Sequence, residues 1–243
     1  LAYKIDGNSK IRSSFGTGLR FPSLNEYYFG STVIDVESLV PEESTSFDFG
    51  IDKKIPEHNL SFGATIFRVD YENYIGGWGS NVDNGNSYVQ KNTDATNYSS
   101  GLELSSNWKP KVDLGINFGY TYTNSYDGST CSNPGDSCND EMNVRVPKNA
   151  ISTSIIKNFN SNFIGTVQYK YVGERRDYGG SDNSFQQVIL NDYSLLNLYA
   201  DYKLQNDYNL NFSLKNLFDE KYNEALNYNT PGRSLNIKFG KKF

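Results

Sequence analysis

The chain is poor in the residues from which active sites and helical membrane spans are built. Among 243 residues there are one histidine, one methionine and two cysteines. No stretch approaches the ~20 consecutive apolar residues that a membrane-crossing helix needs, so helical spanning is excluded. The lone histidine, His58, falls in a short polar stretch that reads as an exposed turn. That position leaves a serine nucleophile without a placed base, and no catalytic constellation is visible, so the chain is read as a non-enzyme. Basic residues number 23 against 28 acidic ones and are scattered. No basic stripe forms, which argues against nucleic-acid binding. Cys131 and Cys138 flank a run of Ser, Asn, Asp, Gly and Pro. A pair in an otherwise cysteine-free chain points to a loop-stapling disulfide, Cys131–Cys138, and to an oxidising compartment. With no histidine near them, zinc is disfavoured. Asp136, Asp140 and Glu141 in the same loop lack EF-hand spacing and are read as solvated charge, so no metal site or cofactor is assigned.

What the chain has is aromatics and alternation. Tyrosine occurs 19 times and phenylalanine 15 times; a tyrosine suits a membrane interface because its ring is apolar and its hydroxyl wet. In the final stretch Leu235, Ile237, Phe239 and Phe243 share one face of a strand, while Asn236, Lys238, Gly240 and Lys242 share the other. Between residues 112 and 123, Val112, Leu114, Ile116, Phe118, Tyr120 and Tyr122 alternate with Asp113, Gly115, Asn117, Gly119, Thr121 and Thr123. A helix would set Asp113 and Asn117 beside Leu114 and Phe118 without a coherent apolar stripe.

The same period two recurs in about eleven segments, near 1–5, 10–20, 45–55, 59–72, 97–108, 112–125, 149–158, 162–175, 193–204, 208–217 and 233–243. Short turns are expected at 6–9, 56–58, 109–111, 158–161 and 205–207. Long loops are expected at 21–44, 73–96, 126–148, 176–192 and 218–232. One greasy face, one polar face and connections that alternate short and long describe a transmembrane antiparallel β-barrel. This architecture also explains how a chain that is polar on average can span a membrane. Around Phe67, Val69 and Tyr71 the apolar phase slips relative to Leu60, Phe62, Ala64 and Ile66, which predicts a bulge there.

Three stretches carry a family resemblance. Arg20-Phe21-Pro22-Ser23-Leu24-Asn25-Glu26-Tyr27-Tyr28 resembles the R-x-P-x-x-x-E-x-[YF] segment of TonB-dependent outer-membrane receptors. Leu39-Val40-Pro41-Glu42-Glu43-Ser44 resembles the L-x-P-E-x-S that opens their next strand. Asn216-Leu217-Phe218-Asp219-Glu220-Lys221-Tyr222, followed by Tyr228-Asn229-Thr230-Pro231-Gly232-Arg233 and the terminal Phe243, is similar to their penultimate strand end, last loop and last strand. The ending looks most like that of vitamin B12 receptors and their siderophore-receptor relatives.

The resemblance implies that residues 1–243 are the C-terminal half, about 11 strands, of a 22-stranded barrel in the Gram-negative outer membrane. The N-terminal plug is expected to be absent from this stretch, which begins at Leu1 in what already reads as strand. It further implies active uptake of a large scarce nutrient, cobalamin or a ferric siderophore, with TonB-ExbB-ExbD engaged through the plug. Outer-membrane lipid surrounds such a barrel, and its terminal aromatic, here Phe243, is a signal for the barrel-assembly machinery. A passive porin or an outer-membrane adhesin is the alternative built on the same strand grammar.

Ligand capture in this architecture falls to loops and the upper inner wall. The candidates are Tyr74, Trp78, Tyr88, Tyr126, Arg145, Arg175, Arg176, Tyr178, Phe185 and Tyr228: aromatics offer area to a bulky chelate, and arginines favour an anionic one. Among the motif residues, Pro22 and Pro41 are expected to stop strand pairing. Gly232 permits a tight start to the last strand, and Arg233 is expected to face the lumen and pair with a loop or plug carboxylate.

Overall fold

A computed structural model describes residues 1–29, 32–33, 39–80, 88–93, 97–128, 143–179 and 187–241. Its strands are β1 (Ala2–Lys4), β2 (Ser9–Arg20), β3 (Tyr28–Phe29), β4 (Thr32–Val33), β5 (Glu42–Ile55), β6 (Leu60–Glu72), β7 (Tyr74–Ser80), β8 (Tyr88–Thr93) and β9 (Asn97–Lys111). They continue as β10 (Leu114–Asp127), β11 (Asn149–Asn158), β12 (Phe163–Val172), β13 (Arg175–Tyr178), β14 (Gln187–Leu190), β15 (Tyr193–Lys203), β16 (Tyr208–Lys215) and β17 (Ser234–Lys241). Eleven of them form one antiparallel sheet in the order β1-β2-β5-β6-β9-β10-β11-β12-β15-β16-β17. All eleven expected segments are in it. The other six pair as small hairpins, β3–β4, β7–β8 and β13–β14, inside the long loops.

The register keeps one face apolar across the sheet. Ile116, Ile155, Val167, Leu198, Leu214 and Leu235 are successive cross-strand partners on six strands. On the opposite face Asn107, Asn117, Ser154, Gln168 and Asn197 form an equally continuous polar row. Asn117 Nδ2 donates to Ser154 Oγ at 3.0 Å, and Asn107 donates to Asn117. A one-residue slip between any two strands would mix the rows, so the alternation itself holds the register.

The apolar face is the exposed one. Phe15 is 71% and Ile237 65% exposed, while only Leu39, Ile75, Val172, Leu190 and Tyr193 are buried hydrophobics among the described residues. Each large apolar side chain left in water forfeits ~1.5–3 kcal/mol, so a face of this extent is stable only against lipid. The polar face then lines the interior, as in an outer-membrane barrel.

Turn chemistry closes the short end. Asn59 takes φ 48° after the 3₁₀ turn Pro56–His58, and Asn206 and Asp207 take φ 59° and 62° between β15 and β16. Asn and Asp tolerate this left-handed region better than other side-chain-bearing residues. His58 is exposed in its turn, as expected.

Three expectations need correction. The β5–β6 and β6–β9 ladders run through Phe67, Val69 and Tyr71 without a shift, so there is no bulge. The apolar residues instead cross to the inner face, because the outer one carries Arg68 and Asp70 above the apolar band, joined at 2.6 Å. The register shift lies at Leu114/Ile116, and the turn expected at 109–111 is displaced to Val112 and Asp113. The segment expected as one strand over 162–175 breaks after Val172. There a Cβ on Gly173 would approach the Asn149 carbonyl oxygen to 3.0 Å, and the chain leaves the sheet to form β13.

Candidate functional site

The long-loop end of the wall is organised by three polar knots, each built on residues at strand ends. The first joins Arg20, Glu26 and Glu42. Arg20 and Glu42 are the last cross-strand pair of β2 and β5, so their side chains meet at the rim on the polar face. The guanidinium grips Glu42 in a fork, Nε to Oε2 at 2.5 Å and Nη2 to Oε1 at 2.6 Å, and reaches Glu26 through Nη1 at 2.9 Å. Glu42 is buried and its Oε1 also accepts the Ile75 amide at 2.8 Å, tying hairpin β7–β8 to the rim. Burial alone would raise the Glu26 carboxyl. Donation from Ser23 and Arg20 outweighs it and holds the group below the usual carboxylate range. Pro22 and Pro41 flank this clasp just outside the paired strands, where expected.

The second knot centres on Asp177, whose side chain is fully buried. Its Oδ1 accepts from Arg145 Nε at 3.0 Å and the Tyr178 amide at 2.8 Å; its Oδ2 accepts the Leu226 amide at 2.6 Å. One carboxylate thus ties its own loop to two others. Desolvation pushes this carboxyl up, but the Leu226 and Tyr178 amides and Arg145 prevail and keep it low. Beside it, buried Arg175 donates to the carbonyls of Gly173, Asn191 and Asn223 and lies 5.1 Å from the centre of the Tyr193 ring. Tyr193 stacks on Tyr222 at 4.3 Å and donates to Glu224 at 3.2 Å.

The third knot is the last loop. Asn216 takes φ 51°, and its side chain both accepts the Glu220 amide at 2.8 Å and donates to the Glu220 carbonyl at 3.0 Å. Asp219 accepts the Arg233 amide at 2.7 Å and the Lys221 ammonium at 3.3 Å, and these donors hold its carboxyl low. A Cβ at Gly232 would lie 2.6 Å from Asp219 Oδ1, so only glycine lets the loop close on that carboxylate. Arg233 is exposed and donates to the Leu217 carbonyl at 3.4 Å.

The candidate ligand residues divide among these settings. Arg145 and Arg175 are committed to the Asp177 knot, and Arg176 gives its carbonyl to the Arg145 amide at 2.7 Å. Tyr178 and Tyr228 are exposed beside that knot. Tyr74 is half-buried at the start of β7. Tyr126 lies in the outer-face set, stacked on its cross-strand partner Tyr98 at 5.7 Å, where it faces the membrane boundary and not the interior. The side chains of Trp78 and Tyr88, and Phe185, Phe243, the Cys131–Cys138 pair and the acidic residues of that loop, lie outside the described residues. Phe218 is exposed and Tyr222 sits in the aromatic stack.

Sequence reasoning missed Asp177, Tyr193 and Glu224. Asp177 is a single carboxylate between Arg176 and Tyr178, and nothing in its neighbourhood announces the amide at Leu226, 49 residues away. Tyr193 was legible only as the first residue of a strand.

Comparison with known proteins agrees with the geometry. A family model described as TonB-dependent receptor-like, beta-barrel matches residues 1–217. The vitamin B12 transporter BtuB of Vibrio vulnificus is 24% identical over 226 residues, covering 88% of this chain and 31% of that protein. Among solved structures, the ferric enterobactin receptor PfeA of Pseudomonas aeruginosa aligns with a TM-score of 0.77 at 16% identity, over 100% of this chain and 39% of its own. The siderophore receptor PirA of Acinetobacter baumannii aligns with a TM-score of 0.76 at 16% identity, over 100% and 40%. This chain therefore spans under half the length of each. With the match covering most of its length, the chain belongs to the TonB-dependent receptor β-barrel family of the Gram-negative outer membrane.

Proposed function

We propose that this wall serves active uptake of a large, scarce nutrient, a ferric siderophore or cobalamin, and that it does no covalent chemistry. The observation that carries the reading is the one-sided build of the molecule. Short turns close one end, while at the other the clasp of Arg20, Glu26 and Glu42 and the Asp177 knot hold long loops against the mouth of a polar interior. A passive pore gains nothing from loops fixed in this way; a receptor needs them to present a surface of defined shape. Exposed Tyr178 and Tyr228 offer ring area beside that surface.

Two physical points bear on the partners. A wall with β1 and β17 as free edges would leave backbone groups unpaired in lipid at several kcal/mol each, so in the membrane it works as part of a closed barrel. A closed barrel that concentrates a scarce nutrient must draw on an energy source, which in this reading is TonB with ExbB and ExbD acting on a plug. The test is uptake by the full-length protein in a receptor-deleted Gram-negative host, with labelled cobalamin and labelled ferric siderophores. Uptake of one cargo that disappears without TonB supports the reading; uptake indifferent to TonB refutes it.

A further inference from the structure

The outer face of the short-turn end carries charges that nutrient capture at the opposite rim does not use. They lie in the middle of the wall, on β9 to β12, where every strand is paired on both sides. Ile116, Ile155, Val167 and Leu198 belong to the continuous apolar row, with Trp108 as the partner of Ile116 on β9. One step nearer the turns the face changes character. The successive cross-strand partners there are Lys111, Leu114, Lys157, Gly165 and Ala200. Two residues along a tilted strand span ~5–7 Å, so both lysines stand just beyond the last apolar row.

Aromatic rings mark this level as the membrane boundary. Trp108 is 41% and Phe159 59% exposed. Phe159 folds over Gly165, where a Cβ would meet its ring at 2.9 Å, and stacks on Phe163 at 4.9 Å; Phe163 in turn lies 6.2 Å from Tyr202. A belt of this kind sits at lipid headgroup depth. Because Gly165 is the partner of Lys157, the Phe159 ring lies beside the Lys157 stem. Asp113, in the turn after β9, accepts from Lys157 and feels the nearby charge of Lys111, and these hold its carboxyl low. Exposed Lys109 and Lys111 form no ion pair among the described residues. Even counting Glu57 of the adjoining turn, three lysines face two carboxylates, so the patch keeps a positive excess.

We propose that Lys109, Lys111 and Lys157 bind the phosphodiester headgroup of an anionic phospholipid in the periplasmic leaflet. Charge complementarity names the group, and depth names its source. A lipid whose chains lie along Ile116 and Ile155 carries its phosphate one step nearer the turns, at the level of the lysines. A soluble anion would gain nothing from the apolar row. Lys111 and Lys157 flank Leu114, which sets their backbones ~10 Å apart. Their long stems can lie on the apolar surface and bring both ammonium groups to one phosphate. Phe159 and Trp108 cover the glycerol and the start of the chains from either side. The leaflet follows from the short turns, which face the periplasm in this family of barrels. The proposal requires the barrel's orientation but not nutrient uptake, so it stands or falls independently of the cargo.

The experiment titrates the full-length protein in detergent with phosphatidylglycerol or phosphatidylcholine of identical chains, and native mass spectrometry counts the lipid bound. Wild type should prefer phosphatidylglycerol by about fivefold or more, the contribution of roughly one lysine at a charged lipid surface. K109Q/K111Q removes the two unpaired cations and leaves the Lys157–Asp113 pair, and its preference should fall to near parity. K54Q/K238Q removes two lysines from the inner face and should keep the wild-type preference, which separates a local site from bulk charge. Heat-modifiable gel mobility reports whether each variant is folded, and only folded variants are scored. Equal affinity of wild type for the two lipids or an undiminished preference in folded K109Q/K111Q would overturn the proposal. So would the same loss in both double variants, or displacement of the lipid by soluble glycerol phosphate.

Discussion

Replacing Glu42 with Gln tests whether the rim clasp holds the loops or merely decorates them. The carboxylate takes the Arg20 fork at 2.5 and 2.6 Å and the Ile75 amide at 2.8 Å. Glutamine keeps the shape and one acceptor oxygen, but presents an amide N–H₂ to the guanidinium. Breaking a fully buried ion pair costs ~3–5 kcal/mol. Arg20 is 47% exposed, so water can replace part of what is lost, and the lower range for a hydrogen bond to a charged group, ~1.5–3 kcal/mol, applies. The penalty falls on the attachment of hairpin β7–β8, not on the eleven-stranded sheet, so it should appear as local opening. At 1.4 kcal/mol per factor of ten, the Ile75 amide should exchange its hydrogen about 10- to 100-fold faster, while the amides of β5 and β6 keep their protection. Arg20→Lys, which keeps the charge but not the fork, should give a smaller acceleration. The assay is hydrogen–deuterium exchange with mass spectrometry on the folded full-length protein. If the Ile75 segment exchanges at the wild-type rate in Glu42→Gln, the clasp does not fasten the loop, and the argument from one-sided build loses its support.

Other expectations are more compact. Ile66→Arg, on the lipid face, should destabilise the barrel in vesicles by up to ~2–4 kcal/mol in denaturant unfolding, whereas Gln168→Arg on the inner row should change it far less. Gly232→Ala drives a methyl to within 2.6 Å of Asp219 Oδ1 and should loosen the Asp219–Arg233 contact, seen as faster exchange at the Arg233 amide with the β16–β17 ladder intact. Asn216→Ala removes both side-chain bonds to Glu220 and the tolerance for φ 51°. It should cost the last loop ~1–3 kcal/mol, read as accelerated exchange at Glu220.

The sheet was legible because two-residue alternation is a local property with a global consequence. Residues 114–122 announce one apolar and one polar face, and the ladders from β10 to β9 and β11 carry that choice to the neighbours. The loop hairpins were not legible. β13 is four residues long, and its Asp177 is tied to the Leu226 amide, 49 residues away. The phase slip at Phe67 was read as a bulge because alternation was assumed to mean apolar outside. Above the hydrocarbon band that assumption fails, and the ladder continues with Arg68 and Asp70 on the outer face. Motif residues were easier to place than candidate ligand residues for a physical reason. Arg20, Glu42 and Asn216 stand at strand ends, where register fixes their neighbours, whereas Tyr126 could be assigned to a face only after the strand was seen to continue past residue 125.

Acidification separates the two ways in which this wall is held together. The backbone hydrogen bonds of the ladders do not titrate, but the Asp177 knot depends on a carboxylate. Its folded-state pKa lies below that of the unfolded chain, because the Leu226 and Tyr178 amides and Arg145 stabilise the anion more than burial penalises it. A group depressed in this sense contributes its full stabilisation above the unfolded value, ~3.9 for aspartate, and loses it as pH falls through the folded value. The loops tied by Asp177 should therefore stay fastened from neutrality down to about pH 4 and open below it, with exchange at Leu226 rising first. Asp177→Asn should abolish that pH step by leaving the loops open at every pH, since a neutral amide cannot replace the charge facing Arg145. If wild type and Asp177→Asn show the same exchange at Leu226 at neutral pH, the loops are held by packing of Tyr193 and Tyr222 and not by the carboxylate.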